Sequence, residues 1–240
     1  MSKFFLAFGN EIFYKSLNRI RDQAQTLNIF DQILIYNDKD LKEDNPDFWG
    51  KHGNFIENNK RGYGYWIWKS YLVLKTLESM NENDILVYSD AGCTLNKNGI
   101  PRLNEYFDTV KNSQYGILSF ELPRLEKCWT KMDLFEHLEL NQSNILNSNH
   151  IISTTFILRK CSHTTKLINE WFTVMQNYHL IDDSQSVLKN DIAFIEHRHD
   201  QSVFSLLVKK YGAEIIPDET WYKNFNKDAK TKPILATRIR

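Results

Sequence analysis

The chain lacks what several familiar kinds of protein are built from. Only three cysteines occur in 240 residues, Cys93, Cys128 and Cys161, widely spaced and without a CxxC pair. That argues against a disulfide framework or a zinc site and suits a reducing compartment. Neither charge is in excess: 30 basic and 30 acidic residues give a formal net charge of zero. A nucleic-acid binder needs a basic surplus to neutralise phosphates, so no nucleic-acid partner is expected. No stretch approaches the roughly 18 apolar residues of a membrane span. The apolar run in "MSKFFLAFGNE" is shorter than a signal-peptide core of at least about seven residues. A soluble, cytoplasmic protein is the expectation. Three catalytic signatures are missing as well. No GxGxxG follows a strand, no GxxxxGK[ST] occurs and no GxSxG is present, which speaks against a dinucleotide fingerprint, a P-loop and a serine-hydrolase elbow.

What is present is an ordinary globular composition, 42% hydrophobic and 13% aromatic, in a chain long enough to bury a large core. Phe4 to Phe8 reads as a first strand closed by Gly9-Asn10. Residues 11–28 carry apolar side chains at helical spacing, and "QILIYND" is a second strand closing on Asn37-Asp38. Residues 40–62 mix Pro, Gly and charge and read as an irregular excursion. A helix over 64–80 leads into the strand "DILVYS", followed by helix 101–112, strand "YGILSF", a helix near 130–140, strand "TTFILRK" and helix 163–178. A polar loop then runs to about 199, before helix 200–211 and the strand "AEIIP".

Strands alternating with helices predict α/β architecture: one domain spanning 1–240, with a mainly parallel central sheet covered by helices on both faces. Ligands of open α/β sheets bind beyond the carboxyl ends of the strands. Those ends carry Gly9-Asn10, Asn37-Asp38, Ser89-Asp90 and Glu121. Residues 221–240 are locally basic and read as a solvated tail, with contact to anionic lipid or to donor phosphates as the alternatives.

Three stretches gather the polar chemistry. In "YSDAG", Asp90 offers a hard oxygen ligand for Mg²⁺ or Mn²⁺, and Ala91-Gly92 leave the backbone open to close approach. Asp-x-Gly is equally ordinary turn chemistry. In "NNKRGYGYWIWKSYLVLKTL", Arg61 and Lys69 bracket Tyr63, Tyr65, Trp66 and Trp68. The cations suit a diphosphate and the flat rings a sugar or base, although the same aromatics at helical spacing also make a core face. In "FIEHRHDQSVFSLLVKKYG", Asp200 is a natural helix N-cap. Yet His197, Arg198, His199, Asp200 and Gln201 in one row offer more functionality than a cap requires.

"RGYGYWIWKSYLVLKTLESMNENDILVYSDAGC" resembles the segment of GT-A-type, nucleotide-sugar-dependent glycosyltransferases in which a helix leads into the strand bearing the DxD motif. "HRHDQSVFSLLVKKYG" is similar to an Asp-Gln-containing motif found late in the same fold. With "FGN", "YNDKDL" and "FILRK" the resemblance spans most of the chain, and it is nearest to small glycosyltransferases of bacterial polysaccharide loci and large DNA viruses. It implies a GT-A-like (Rossmann-like) domain. The implied reaction transfers a sugar from a nucleoside-diphosphate donor, a UDP-sugar first, to a hydroxyl of a glycan, lipid-linked or protein-linked acceptor.

By the same resemblance Asp90 would be the first DxD aspartate, bridging Mn²⁺ or Mg²⁺ to the diphosphate. Gly92 stands where the second aspartate belongs, so His197 or His199 would have to complete the metal's shell. Metal-independent stabilisation by Lys69 and Arg61 is the alternative. Asn10 and Asn37 would hold the nucleotide. Trp68, Ser89 and Gln201 would join the donor site, and Asp200 or His199 would serve as base. A catalytically silent carbohydrate-binding protein of this fold and a metal-dependent nucleotidyltransferase or phosphohydrolase are the competing classes.

Overall fold

In a computed structural model that describes all of residues 1–240, the short apolar runs become the strands of a seven-stranded sheet. In chain order the nine strands, of which β4 and β9 form a separate two-stranded sheet, are β1 (Lys3–Gly9), β2 (Gln32–Asn37), β3 (Ile85–Ser89), β4 (Thr94–Leu95), β5 (Ile117–Leu125), β6 (Asn149–Ile151), β7 (Thr155–Arg159), β8 (Glu214–Pro217) and β9 (Ile234–Leu235). The helices are α1 (Tyr14–Leu27), α2 (Asp38–Glu43), α3 (Pro46–Asn58), the single distorted turn α4 (Gly62–Tyr65), α5 (Ile67–Ser79), α6 (Ile100–Asn112), α7 (Met132–His137), α8 (Ser143–Leu146), α9 (Ser162–Met175), α10 (Asp200–Tyr211) and α11 (Phe225–Asp228).

The large sheet runs β2-β1-β3-β7-β5-β6, with β8 also paired to β5. β1 is parallel to β2 and β3, and β8 is parallel to β5. β7 is antiparallel to β3 and β5, and β6 is antiparallel to β5. Five strands therefore share one direction and two oppose it. The opposing pair has a single cause: β6 and β7, separated only by residues 152–154, form one bent line along β5.

Alternation along each strand builds two cores. Leu6 and Phe8 of β1, with Leu86 and Tyr88 of β3, pack under α5, α9 and α10. Phe5 and Ala7, with Ile85 and Val87, pack against α1 and α6. Both faces are covered, which is why these strands read as unbroken apolar runs. Asp84, just before β3, is buried and accepts bonds from the Ser2 and Asn81 amides, tying the chain start to the sheet.

Two expectations fail. Residues 40–62 are not irregular: they hold the end of α2, all of α3 and the start of α4. Asn37 caps α2 by accepting from the Lys39 and Asp40 amides, while the Asp40 carboxylate accepts from the Asn37 amide. Pro46 sits in the first turn of α3, where a missing N–H costs nothing. Nor is the C-terminus a solvated tail. Ile234 and Leu235 are buried in β9, which pairs with β4, and Ala236 donates its amide to the Thr220 carbonyl. The basic residues of this stretch flank an apolar "PILA" that outweighs them.

Candidate active site

The turn before α5 is wound against the grain of L-residues. Tyr63, Tyr65 and Trp66 all have positive φ, as do Gly62 and Gly64. Gly64 permits it: a Cβ there would come within 2.6 Å of Ile56 Cγ1. This coil places Trp66 on the cavity and sends Trp68 into the core, where its ring lies tilted against Phe8 with centroids 3.9 Å apart and its indole N–H donates to the Gly62 carbonyl. One residue on, the same helix start directs Lys69 inward.

Lys69 is 2% exposed and stands between two carboxylates. Its Nζ lies 2.8 Å from Asp200 Oδ2 and 3.2 Å from Asp90 Oδ1. Tyr88 OH donates to Asp90 Oδ1 at 2.7 Å, and Ser153 Oγ donates to Asp200 Oδ2 at 2.7 Å. Each acid is thus held by one oxygen, and the other oxygen makes no hydrogen bond within the protein. Burial alone would lower the Lys69 ammonium, but Asp200 and then Asp90 hold it above its ordinary range. Burial pushes the Asp90 carboxyl up, against the pull of Lys69 and Tyr88.

Asp200 is not the N-cap its position suggests. His199 occupies that place, with φ 53° and ψ −123°, and no side chain caps the helix. Asp200 instead gives its carboxylate to Lys69 and Ser153, because a buried ammonium rewards it more than an amide would. Gln201 accepts from the Ser153 amide at 3.2 Å, which ties α10 to the segment between β6 and β7.

These groups face a cavity of about 1000 Å³ beyond the carboxyl ends of β3 and β5. Arg61, Arg124, Arg198 and Arg238 also line it. Arg198 packs over Trp129 at 4.4 Å, and Arg124 approaches the same ring at 5.3 Å. Arg61 pairs with Asp183 and Glu196, and Arg198 with Glu196. Burial, partly offset by Glu196, lowers the Arg198 pKa, and the charges of Arg61, Arg124 and Arg238 lower it further.

The structure therefore brings Arg61, Lys69, Asp90, His199, Asp200 and Gln201 around one cavity, and leaves other candidates outside its wall. Ser89 and Trp68 are buried. Asn37 caps α2 and borders a separate hollow between α1 and β2. Asn10 follows β1 and makes no side-chain cap bond to the 3-10 turn Glu11–Phe13 after it. His197 is locked: its Nδ1 accepts from the Lys131 amide and its Nε2 donates to the Leu180 carbonyl. Sequence reasoning missed Tyr88, Ser153, Arg124 and Trp129, and touched Arg238 only through the basic stretch 221–240, for which contact with donor phosphates is one alternative. Only Tyr88, two residues before Asp90, carried a local signal, since every second residue of a strand shares a face.

The protein's own side chains give a divalent cation no complete ligand set, only one free oxygen each from Asp90 and Asp200. His197 has no free nitrogen. His199 Nδ1 donates to the Ile181 carbonyl at 2.7 Å, while its Nε2 is buried, unbonded and 3.8 Å from Asp183. Gly92 supplies no ligand. A cation bridging Asp90 and Asp200 would sit beside the buried Lys69 ammonium that both acids already hold, and like charges repel. No group of three His, Cys, Asp or Glu side chains is arranged to hold a metal.

No protein-family model and no curated protein matches the sequence. The fold has clear relatives among solved structures. It is similar to a glycosyltransferase involved in glycosylation of the major capsid of PBCV-1, with a TM-score of 0.53 and 8% identity over 98% of this chain and 92% of that one. It is similar to mouse xyloside xylosyltransferase 1, with a TM-score of 0.50 and 11% identity over 98% and 97%. It is also similar to the galactosyltransferase LgtC, solved with donor and acceptor sugar analogues, with a TM-score of 0.50 and 8% identity over 97% and 86%. At such identities the likeness speaks for the fold, and the fold is GT-A.

Proposed function

We propose that the chain transfers a glycosyl group from a nucleoside-diphosphate sugar to a hydroxyl acceptor. The observation that carries this reading is the Asp90–Lys69–Asp200 arrangement, opening onto a large arginine-lined cavity at the carboxyl edge of a GT-A sheet. The reaction breaks the bond between the anomeric carbon and the β-phosphate oxygen, whose electron pair stays on the leaving diphosphate. Cations preorganised around that oxygen lower the barrier, because they stabilise charge that grows only as the bond breaks. Lys69 and the cavity arginines supply them. The free oxygen of Asp200 would take the acceptor's proton or steady positive charge on the sugar ring. Trp221, exposed at the cavity, offers a flat face on which a glycan acceptor can lie.

The test is a thermal-shift panel of UDP- and GDP-sugars with the purified chain. A ligand that binds only the folded state raises Tm. At least one donor should do so, and free monosaccharides should not. A shift with glycans but with no nucleotide sugar would instead favour a carbohydrate-binding protein without transfer activity.

A further inference from the structure

Gly92 raises the question of what stands where a second acidic residue would lie. The C-terminal segment crosses at that point. The Ile239 amide donates to the Gly92 carbonyl at 3.1 Å, and Thr237 Oγ1 donates to the same oxygen at 3.2 Å. A Cβ at position 92 would sit 3.5 Å from Arg238 Cα, so a methyl group fits and a longer side chain meets the crossing strand. The segment is anchored on every side. β9 pairs with β4, Thr94 Oγ1 meets Thr237 Oγ1 at 2.8 Å, and Ser16 Oγ donates to the Ile239 carbonyl at 2.7 Å. Asn96 Nδ2 reaches the Lys230 and Lys232 carbonyls at 2.9 and 3.0 Å.

This strap brings Ala236 and Arg238 to the cavity wall, and Arg238 is its only charged contribution. Its backbone is left-handed, φ 55°, a conformation that a non-glycine residue holds only under constraint. Of the cavity arginines, Arg61 and Arg198 have acidic partners and Arg124 lies over the Trp129 ring, whereas Arg238 has neither an acidic nor an aromatic partner. An arginine whose backbone crosses Gly92 and whose side chain lines the cavity without an ion-pair partner is a bidentate donor open to a ligand.

We propose that Arg238, carried by the C-terminal strap, is the cation that receives the donor's diphosphate, so that donor binding is independent of divalent metal. The proposal rests on the nucleotide-sugar reading. It accounts for Gly92: an aspartate there would lie against Arg238 and pair with it. A planar fork of N–H groups matches a phosphate in geometry as well as charge. Asp90 and Asp200 are left to hold Lys69 rather than a metal ion.

The experiment is calorimetric titration of the full chain with UDP and with GDP, in EDTA and again in excess Mn²⁺. For at least one of the two, the Kd in EDTA should lie within about threefold of that in Mn²⁺. Arg238→Gln should weaken that Kd by about tenfold or more, the scale of one lost charge-assisted contact. Its Tm should be unchanged, because the side chain is exposed. Arg238→Lys should keep part of the affinity. Gly92→Asp should weaken binding in EDTA as Arg238→Gln does. Tightening of about tenfold or more by Mn²⁺, or wild-type affinity in Arg238→Gln, overturns the proposal and leaves the glycosyltransferase reading standing. Failure of both nucleotides to bind wild type under either condition overturns both.

Discussion

Replacing Lys69 with methionine removes the one cation shared by two acids, and the geometry sets the size of the effect. Asp90 Oδ1 and Asp200 Oδ2 lie 3.2 and 2.8 Å from Nζ, so the two oxygens are no more than about 6 Å apart. At an effective dielectric near 20 their repulsion is about 3 kcal/mol. Loss of one partner from a buried ion pair costs about 3–5 kcal/mol in measured cases, which agrees. The cost also depends on pH. Asp90 is already raised by burial, and without Lys69 the pair retains a proton to higher pH still. An acid whose pKa is higher folded than unfolded binds its proton more tightly in the folded state. Stability is then lost as pH rises through that window, at up to about 1.4 kcal/mol per unit. Urea unfolding of Lys69→Met should therefore show a deficit of about 3–5 kcal/mol at pH 8 that shrinks markedly at pH 5. Adding Asp200→Asn should recover much of it at pH 8. A deficit below about 1 kcal/mol at pH 8, the range of an exposed pair, or one equal at both pH values, would refute the reasoning.

Other consequences can be measured on the same protein. Glu126 is fully buried among Thr130, His150, Ser205 and Lys209, and although burial opposes it, His150 and then Lys209 bring its pKa down to about 2. A depressed acid stabilises above its unfolded pKa and loses that stability as pH falls, here between the ordinary glutamate range and about 2. Wild type should lose about 3 kcal/mol more over that interval than Glu126→Gln does; parallel acid limbs in chemical denaturation would exclude it. Gly64→Ala combines φ +83° with a 2.6 Å approach to Ile56, so a loss of about 2–3 kcal/mol is expected in urea unfolding. An unchanged midpoint would show that the wound turn before α5 yields more readily than described. Asp200→Asn should lower turnover of an active donor by about 100-fold or more if the carboxylate takes the proton, and a loss of only a fewfold assigns that role elsewhere.

The parts of this structure that could be read from sequence are those whose cause is local. Strand runs closed by turn residues, and helices with apolar spacing such as α1 and α6, follow from periodicity. So does the idea that Asp90 leaves a strand at the sheet's carboxyl edge. What escaped reading depends on distant partners. Asp200 reads as a helix cap because its competitor, Lys69, is 131 positions away in the chain. Asn37 reads as a ligand residue because the capping box it forms with Asp40 satisfies ordinary turn chemistry just as well. His197 and His199 look like metal ligands until the carbonyls of Leu180 and Ile181 claim a ring nitrogen of each. Arg238 lies in a stretch whose charge masks the buried Ile234 and Leu235 that fold it back. Local pattern gives the sheet and its binding edge, whereas charge pairing across the fold decides which side chains serve there.

The most direct test of the central claim is to identify the product released from a nucleotide sugar. The purified chain, incubated with UDP- and GDP-sugars and then analysed by mass spectrometry, should release nucleoside diphosphate from at least one donor, by transfer to an added glycan or slowly to water. Release of nucleoside monophosphate or pyrophosphate instead, or no turnover of any donor together with no nucleotide binding, would contradict the account.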